Sequence, residues 1–179
     1  MRSTSNAELR GSKYREDIEL IISPAADAKS ILNGINDHRP DVVHFSGHGG
    51  GKSIWLDDGK VQSSVGQSMS FTSLADLLAA TDTPPTLLVL NACDTLTGAE
   101  VLLDAVKVVI AMSDSISDLG AATFAAQFYA AIASAQPISQ AIKQGKIRMK
   151  SAMLSDADLP EMIHRKDILP KSFTLVKKR

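Results

Sequence analysis

Residues 86–95 read TLLVLNACDT. The run up to Leu90 is almost continuously apolar and rich in branched side chains, which predicts a strand buried on both faces, as parallel sheets require. It follows the breaker Pro84-Pro85 and stops at Asn91, so Cys93 opens a loop at the C-terminal end of the strand. A second run of the same kind, VKVVIAM at 106–112, follows a helix predicted for about 97–105. Upstream, DVVHFS at 41–46 predicts another strand, ended by the glycine turn Gly47-His48-Gly49-Gly50-Gly51. IELIIS at 18–23 predicts an earlier strand, stopped by Pro24. Between these two strands, Ala28, Ile31, Leu32 and Ile35 recur at helical spacing, which predicts a helix over 25–38. A helix of that length between two strands is the usual crossover of a parallel sheet.

The rest of the chain fits the same alternation. IWL at 54–56, the turn Asp57-Asp58-Gly59 and KVQ at 60–62 predict a rim hairpin, followed by a polar loop over 63–70. A short helix is expected over 71–80 with Thr72 or Ser73 as its N-cap. A long alanine-rich helix is expected over about 121–135, and another that opens at Pro137 and runs to about 153. A charged, irregular tail follows, with SFTLV at 172–176 as a last edge strand. The expected fold class is therefore α/β: an open, mostly parallel sheet in three layers. The expected organisation is one domain over 13–179, with a core at 18–153, a C-terminal extension at 154–179 and a loose tail at 1–12.

Composition narrows the function classes. Hydrophobic residues make up 44% of the 179-residue chain and charged residues 22%, enough apolar material for a core of ordinary size. Nineteen Lys and Arg balance twenty Asp and Glu, so charge gives no reason to expect nucleic acid or an anionic membrane as partner. One cysteine excludes an intrachain disulfide and makes a reducing, cytoplasmic compartment the expectation. No stretch is long and apolar enough for a transmembrane helix, and residues 1–17 lack the apolar run of a signal peptide.

In open α/β sheets, ligands bind outside the C-terminal ends of the strands. Two predicted strands end in loops with reactive groups, one carrying His48 and the other Cys93. On neighbouring parallel strands, both loops share one edge, and an imidazole there can activate a thiol for attack on a carbonyl. Gly49 has no Cβ to obstruct a substrate, so its N–H and that of Cys93 are candidates for an oxyanion hole. A lone cysteine at a strand end is more often a small core residue, but a histidine set between glycines has no side chains to pack against. His44, inside its strand, reads as a core histidine, and His38 and His164 as surface residues.

Other motif readings fail on the letters. Gly51-Lys52-Ser53 lacks the upstream glycine and the following helix of a phosphate-binding loop, because position 46 is serine. His48-Gly49-Gly50-Gly51 matches an esterase oxyanion loop, but no Gly-x-Ser-x-Gly supplies its nucleophile. A zinc site from His44, His48 and Cys93 lacks the usual ligand spacings, and neither metal nor cofactor is expected.

VVHFSGHGG (42–50), LLVLNACDT (87–95) and VVIAMSDSISDLGAATFAAQFYAAI (108–132) together closely resemble the CHAT domain, a caspase-like peptidase domain of bacteria. The resemblance covers roughly residues 13–150. Cys93 lacks the flanking residues of the caspase signature, so the likeness is to CHAT and not to caspases proper. It implies a caspase–hemoglobinase fold and a cysteine endopeptidase with His48 and Cys93 as dyad and Gly49 at the oxyanion hole. It implies a pocket lined by Asn91 and the stretch 113–118, where Asp114 and Asp118 are candidates to pair with a basic side chain of a protein substrate, the alternative for Asp118 being a cap on the long helix that follows. It implies control by a regulatory protein partner and a setting in bacterial immunity or cell death, with a caspase-like interaction module as the alternative. It also implies a strand and helix ahead of residue 13. Residues 1–17 hold no such run, so the sheet is expected to lack its usual first strand.

Overall fold

The computed structural model describes residues 11–57 and 66–177. The expectations for the start of the tail, the turn at 58–59, the strand at 60–62 and the polar stretch 63–65 lie outside the described residues. In chain order the elements are a 3-10 turn (Arg15–Asp17), α1 (Ala28–His38), β1 (Val42–Ser46), β2 (Gly49–Gly50), β3 (Ser53–Leu56), β4 (Gln67–Ser70), α2 (Phe71–Ala79) and β5 (Leu87–Asn91). A 3-10 helix (Ala99–Asp104), β6 (Val108–Met112), α3 (Asp118–Ile132), α4 (Ile138–Ser151) and β7 (Pro160–His164) follow. They form two compact units. Among the described residues, one is drawn from 11–21, 116–160 and 166–177, the other from 22–57, 66–115 and 161–165.

The second unit holds a four-stranded sheet in the order β1-β5-β6-β7 and a three-stranded sheet in the order β2-β3-β4. β1 runs parallel to β5 from Val42↔Leu87 to Ser46↔Asn91, and β5 runs parallel to β6 from Leu87↔Val108 to Val89↔Ile110. The fold is the expected α/β class with a mostly parallel central sheet. Every residue of β5 and β6 is buried. Their side chains alternate between faces. Leu88, Leu90, Val109 and Ala111 join Ile35 of α1, Leu74 and Leu78 of α2, Leu102 of the 3-10 helix, and Ile54 and Leu56 of β3 in one apolar cluster. Leu87, Val89, Val108, Ile110 and Met112, on the opposite face, are fully buried as well.

Several local expectations are corrected. IELIIS joins no sheet: residues 18–23 are irregular, and Leu20, Ile21 and Ile22 are 46%, 48% and 67% exposed. β-branched composition favours extended backbone but supplies no partner strand. The tail segment 160–164, expected to be irregular, is β7, whereas SFTLV forms no strand. Gln67–Ser70, expected as loop, is β4. Its only inward side chain is Met69, which packs against the apolar cluster, so hydrophobic alternation gave almost no signal. α2 is capped by Ser70, whose hydroxyl accepts from the Ser73 N–H at 3.1 Å, and not by Thr72 or Ser73. The segment after Gly98 (φ 81°) is a 3-10 helix rather than an α-helix.

In the other unit, α3 begins earlier than expected because Ser117 caps it, accepting from the Gly120 N–H at 3.0 Å. Asp156 secures that cap by accepting from the Ser117 N–H (2.9 Å) and hydroxyl (2.7 Å). α3 and α4 approach closely at Gly145, where a Cβ would meet the Phe124 ring at 2.7 Å. Phe124 stacks on Phe128 with ring centroids 5.6 Å apart. Residues near SFTLV serve α4 instead of a sheet: the Phe173 carbonyl accepts from the Ile138 N–H at 2.9 Å.

His44 stands mid-strand in β1, opposite Val89. Desolvation there pushes its imidazole down to about 4, from an ordinary 6.5. The unfolded chain takes up this proton near pH 6.5 and the folded chain only near pH 4, so the stability it contributes is intact above 6.5 and lost as pH falls through that window. The expected slope is about 1.4 kcal/mol per pH unit. Urea titrations from pH 7 to 4 should show this loss in the wild type and a flatter profile in His44→Gln. Equal slopes would contradict the assignment.

Candidate active site

The register places Ser46 beside Asn91, so the chain leaves β1 and β5 at the same level of the sheet. The segment after β1 folds back at once. β2 pairs antiparallel with β3 (Gly49↔Ile54, Gly50↔Ser53) through the two-residue turn Gly51-Lys52. Gly50, Gly51 and Lys52 have φ of 139°, 59° and 65°. Positive φ at both central residues is the signature of one of the two tight turns that match the strand twist. The glycine run 47–51 is therefore not one turn: Gly49 and Gly50 form β2, and the tight turn falls at Gly51-Lys52.

Gly49 is where the two loops meet. A Cβ there would lie 2.8 Å from Thr95 Cγ2, 3.0 Å from the Ala92 Cβ and 3.2 Å from the Cys93 carbonyl oxygen. Contacts this short leave no room for a side chain, so the glycine permits the β1 loop to close on the Cys93 loop. His48, next to it, is exposed, and Cys93 is half-buried. The His48 carbonyl accepts from the Trp55 N–H at 3.0 Å, which ties the histidine's backbone to β3.

The Cys93 loop is held from beneath by Thr95, which is fully buried. Its hydroxyl accepts from the Met112 N–H at 3.1 Å and lies 3.0 Å from the Ala92 carbonyl and 3.2 Å from that of Leu90, to which it donates. The Thr95 and Leu96 N–H groups both donate to the Met112 carbonyl at 3.0 Å. Asp94 adopts φ 46°, a left-handed conformation that aspartate tolerates better than most residues. Its N–H donates to the Asp114 carbonyl at 3.2 Å, which binds the loop after β6 to the cysteine loop.

The pocket candidates are placed differently from one another. Asn91 is 4% exposed at the end of β5. Asp114 is exposed and approaches the Cys93 loop through its backbone, while its carboxylate accepts from the Ser115 N–H at 2.7 Å. Asp118 is exposed at the first position of α3 and belongs to the other compact unit. His38 is exposed as expected, but His164 is half-buried in β7, with Nδ1 2.8 Å from the Arg165 carbonyl. Sequence reasoning missed Thr95 and Trp55. Thr95 stands in the quoted NACDT string, but nothing in a threonine's letter code says that it is buried beneath the turn. Among the described residues, no group of three or more His, Cys, Asp or Glu side chains is arranged to hold a metal ion, and no helix is long and apolar enough to cross a membrane.

A mostly parallel α/β sheet, with a histidine loop and a cysteine loop brought together at the C-terminal ends of adjacent strands, defines a caspase-like architecture. The CHAT domain family model matches residues 6–166, and the chain belongs to that family. The family is associated with caspase-like cysteine peptidases. No curated protein matches the chain.

Removing the Thr95 hydroxyl deprives the Met112 N–H of its side-chain acceptor, a loss of about 1–3 kcal/mol for a buried group. Thr95→Val should lower the midpoint of urea unfolding accordingly, with Thr95→Ser recovering most of the difference. An unaltered midpoint in Thr95→Val would mean that the hydroxyl does not support the loop.

Proposed function

We propose that the chain is a cysteine endopeptidase that cleaves protein substrates with a His48–Cys93 dyad. The observation that carries this reading is the seat of Gly49 against Ala92, Cys93 and Thr95 at the ends of adjacent parallel strands. That seat brings the loop of an exposed imidazole onto the loop of the chain's single thiol. In the proposed reaction His48 takes the Cys93 proton, and the thiolate attacks the carbonyl carbon of the scissile peptide bond. The N–H groups of Gly49 and Cys93 donate to the oxyanion. As the carbon–nitrogen bond breaks, the imidazolium returns its proton to the leaving amine, and a thioester remains on Cys93. His48 then deprotonates a water, which attacks the thioester, releases the carboxylate product and regenerates the thiol.

Asn91 and Asp114 line the pocket for the residue before the cut in this reading, and the Asp114 carboxylate recognises a lysine or arginine there. The same role for Asp118 rests on the sequence alone. Working in a cytoplasmic bacterial setting of immunity or cell death, and under control of a regulatory protein, belongs to the proposal as the family's usual context. A second reading, a caspase-like interaction module that retains the dyad letters, is favoured by the exposure of Leu20, Ile21 and Ile22. Cys93→Ala separates the two: a peptidase loses all function and an interaction module keeps its binding.

The direct test is irreversible labelling of Cys93 by peptidyl fluoromethyl ketones ending in Arg, Lys or Asp, read by intact mass. The proposal expects labelling that prefers the basic probes and falls at least a hundredfold in His48→Ala, within the usual scale of general-base catalysis. Preference for Asp would discard the acidic pocket and keep the dyad. Labelling independent of His48 would remove the dyad.

A further inference from the structure

The structure assigns a substrate contact to Trp55. This inference rests on the peptidase reading and adds to it a preference for an apolar side chain at the residue before the one whose carbonyl is attacked, carried by the indole beside His48.

Three observations converge on this residue. Trp55 is the only tryptophan in the chain, and it is 42% exposed although both its neighbours on β3, Ile54 and Leu56, are buried at 1% and 3%. The strand therefore turns its small apolar residues inward and its largest one outward. Second, the β2–β3 register runs Gly50↔Ser53, Gly49↔Ile54, and one step further the Trp55 N–H donates to the His48 carbonyl at 3.0 Å. His48 lies one residue before β2 and shares this single backbone bond with Trp55; the antiparallel alternation, carried one residue past the paired positions, puts the two on the same face. Third, the remaining register positions of that face are small: Ser68 lies opposite Trp55, and Ser70 and Gly50 lie opposite Ser53. Ser68 and Ser70 are exposed. No bulky described residue at these positions stands over the indole.

Placing an amphipathic ring on an outward sheet face leaves apolar surface in water, which a structural role on the inward face would avoid. A peptide whose carbonyl carbon reaches Cys93 passes His48, and the residue preceding the attacked carbonyl's own residue then comes over Trp55. A flat ring bordered by serine and glycine suits a leucine-like side chain and gives a glycine little to hold.

Two fluoromethyl ketones test this, with sequences Leu-Leu-X and Gly-Gly-X. X is whichever of Arg, Lys or Asp reacts fastest. The wild type should be labelled by the leucine probe about tenfold faster, on the scale of one half-buried aliphatic contact. Trp55→Ala should erase that ratio by slowing the leucine probe alone, its unchanged rate with the glycine probe showing that the fold and dyad are intact. Trp55→Phe should keep most of the ratio. Because Trp55 is the sole tryptophan, its emission should shift to shorter wavelength in the leucine adduct and stay in place in the glycine adduct. The same ratio in Trp55→Ala, or emission indifferent to the leucine adduct, overturns this inference alone. A wild type that reacts with neither probe overturns the peptidase reading and this inference with it.

Discussion

The site depends on one buried hydroxyl. Thr95 lies under the turn that carries Cys93, with the carbonyls of Leu90 and Ala92 on one side and the Met112 N–H on the other. A polar group with no access to water must find partners within the protein or cost several kcal/mol. Here the arrangement that satisfies it fixes the end of β5 to the end of β6. The methyl of the same residue is the nearest atom to the Gly49 seat. One side chain therefore sets both where the cysteine loop sits and how closely the histidine loop can come.

The two sheets divide the labour around that point. The four-stranded sheet supplies rigidity: β5 and β6 are buried along their whole length, and parallel register fixes the level at which the loops emerge. The three-stranded sheet supplies the exposed groups. Its inward residues Ile54, Leu56 and Met69 anchor it in the apolar cluster, and its outward face presents Trp55 with His48 opposite. The turn Gly51-Lys52 makes this possible, because its positive φ at both positions lets β2 reverse into β3 within two residues. The glycine turn thus reads first as a hairpin and as a close approach, and the oxyanion role proposed for Gly49 is compatible with both.

What the sequence discloses follows the strength of each physical signal. TLLVL and VVIAM read as buried strands from their length and branched side chains, and the helical spacing of Ile31, Leu32 and Ile35 specified α1. The location of His48 and Cys93 at strand ends followed from those elements. β4 was hidden because its inward side is a single methionine, and β7 because Pro160 and Glu161 resemble tail composition. IELIIS misled in the opposite direction, since strand propensity is realised only against a partner. The long-range contacts were beyond reach of local pattern. Nothing in the letters shows that Asp114 meets the cysteine loop through its carbonyl, that Thr95 is buried, or that Trp55 faces outward across from His48.

The central claim is that the His48 imidazole activates the Cys93 thiol, and a small alkylating agent tests it without calling on any peptide pocket. The measurement is the second-order rate of Cys93 alkylation by iodoacetamide at pH 7, in the wild type and in His48→Ala, folded and in urea. The account predicts that the folded wild type reacts at least about tenfold faster than folded His48→Ala, and that the two unfolded chains react alike. Equal rates in the folded proteins would contradict it.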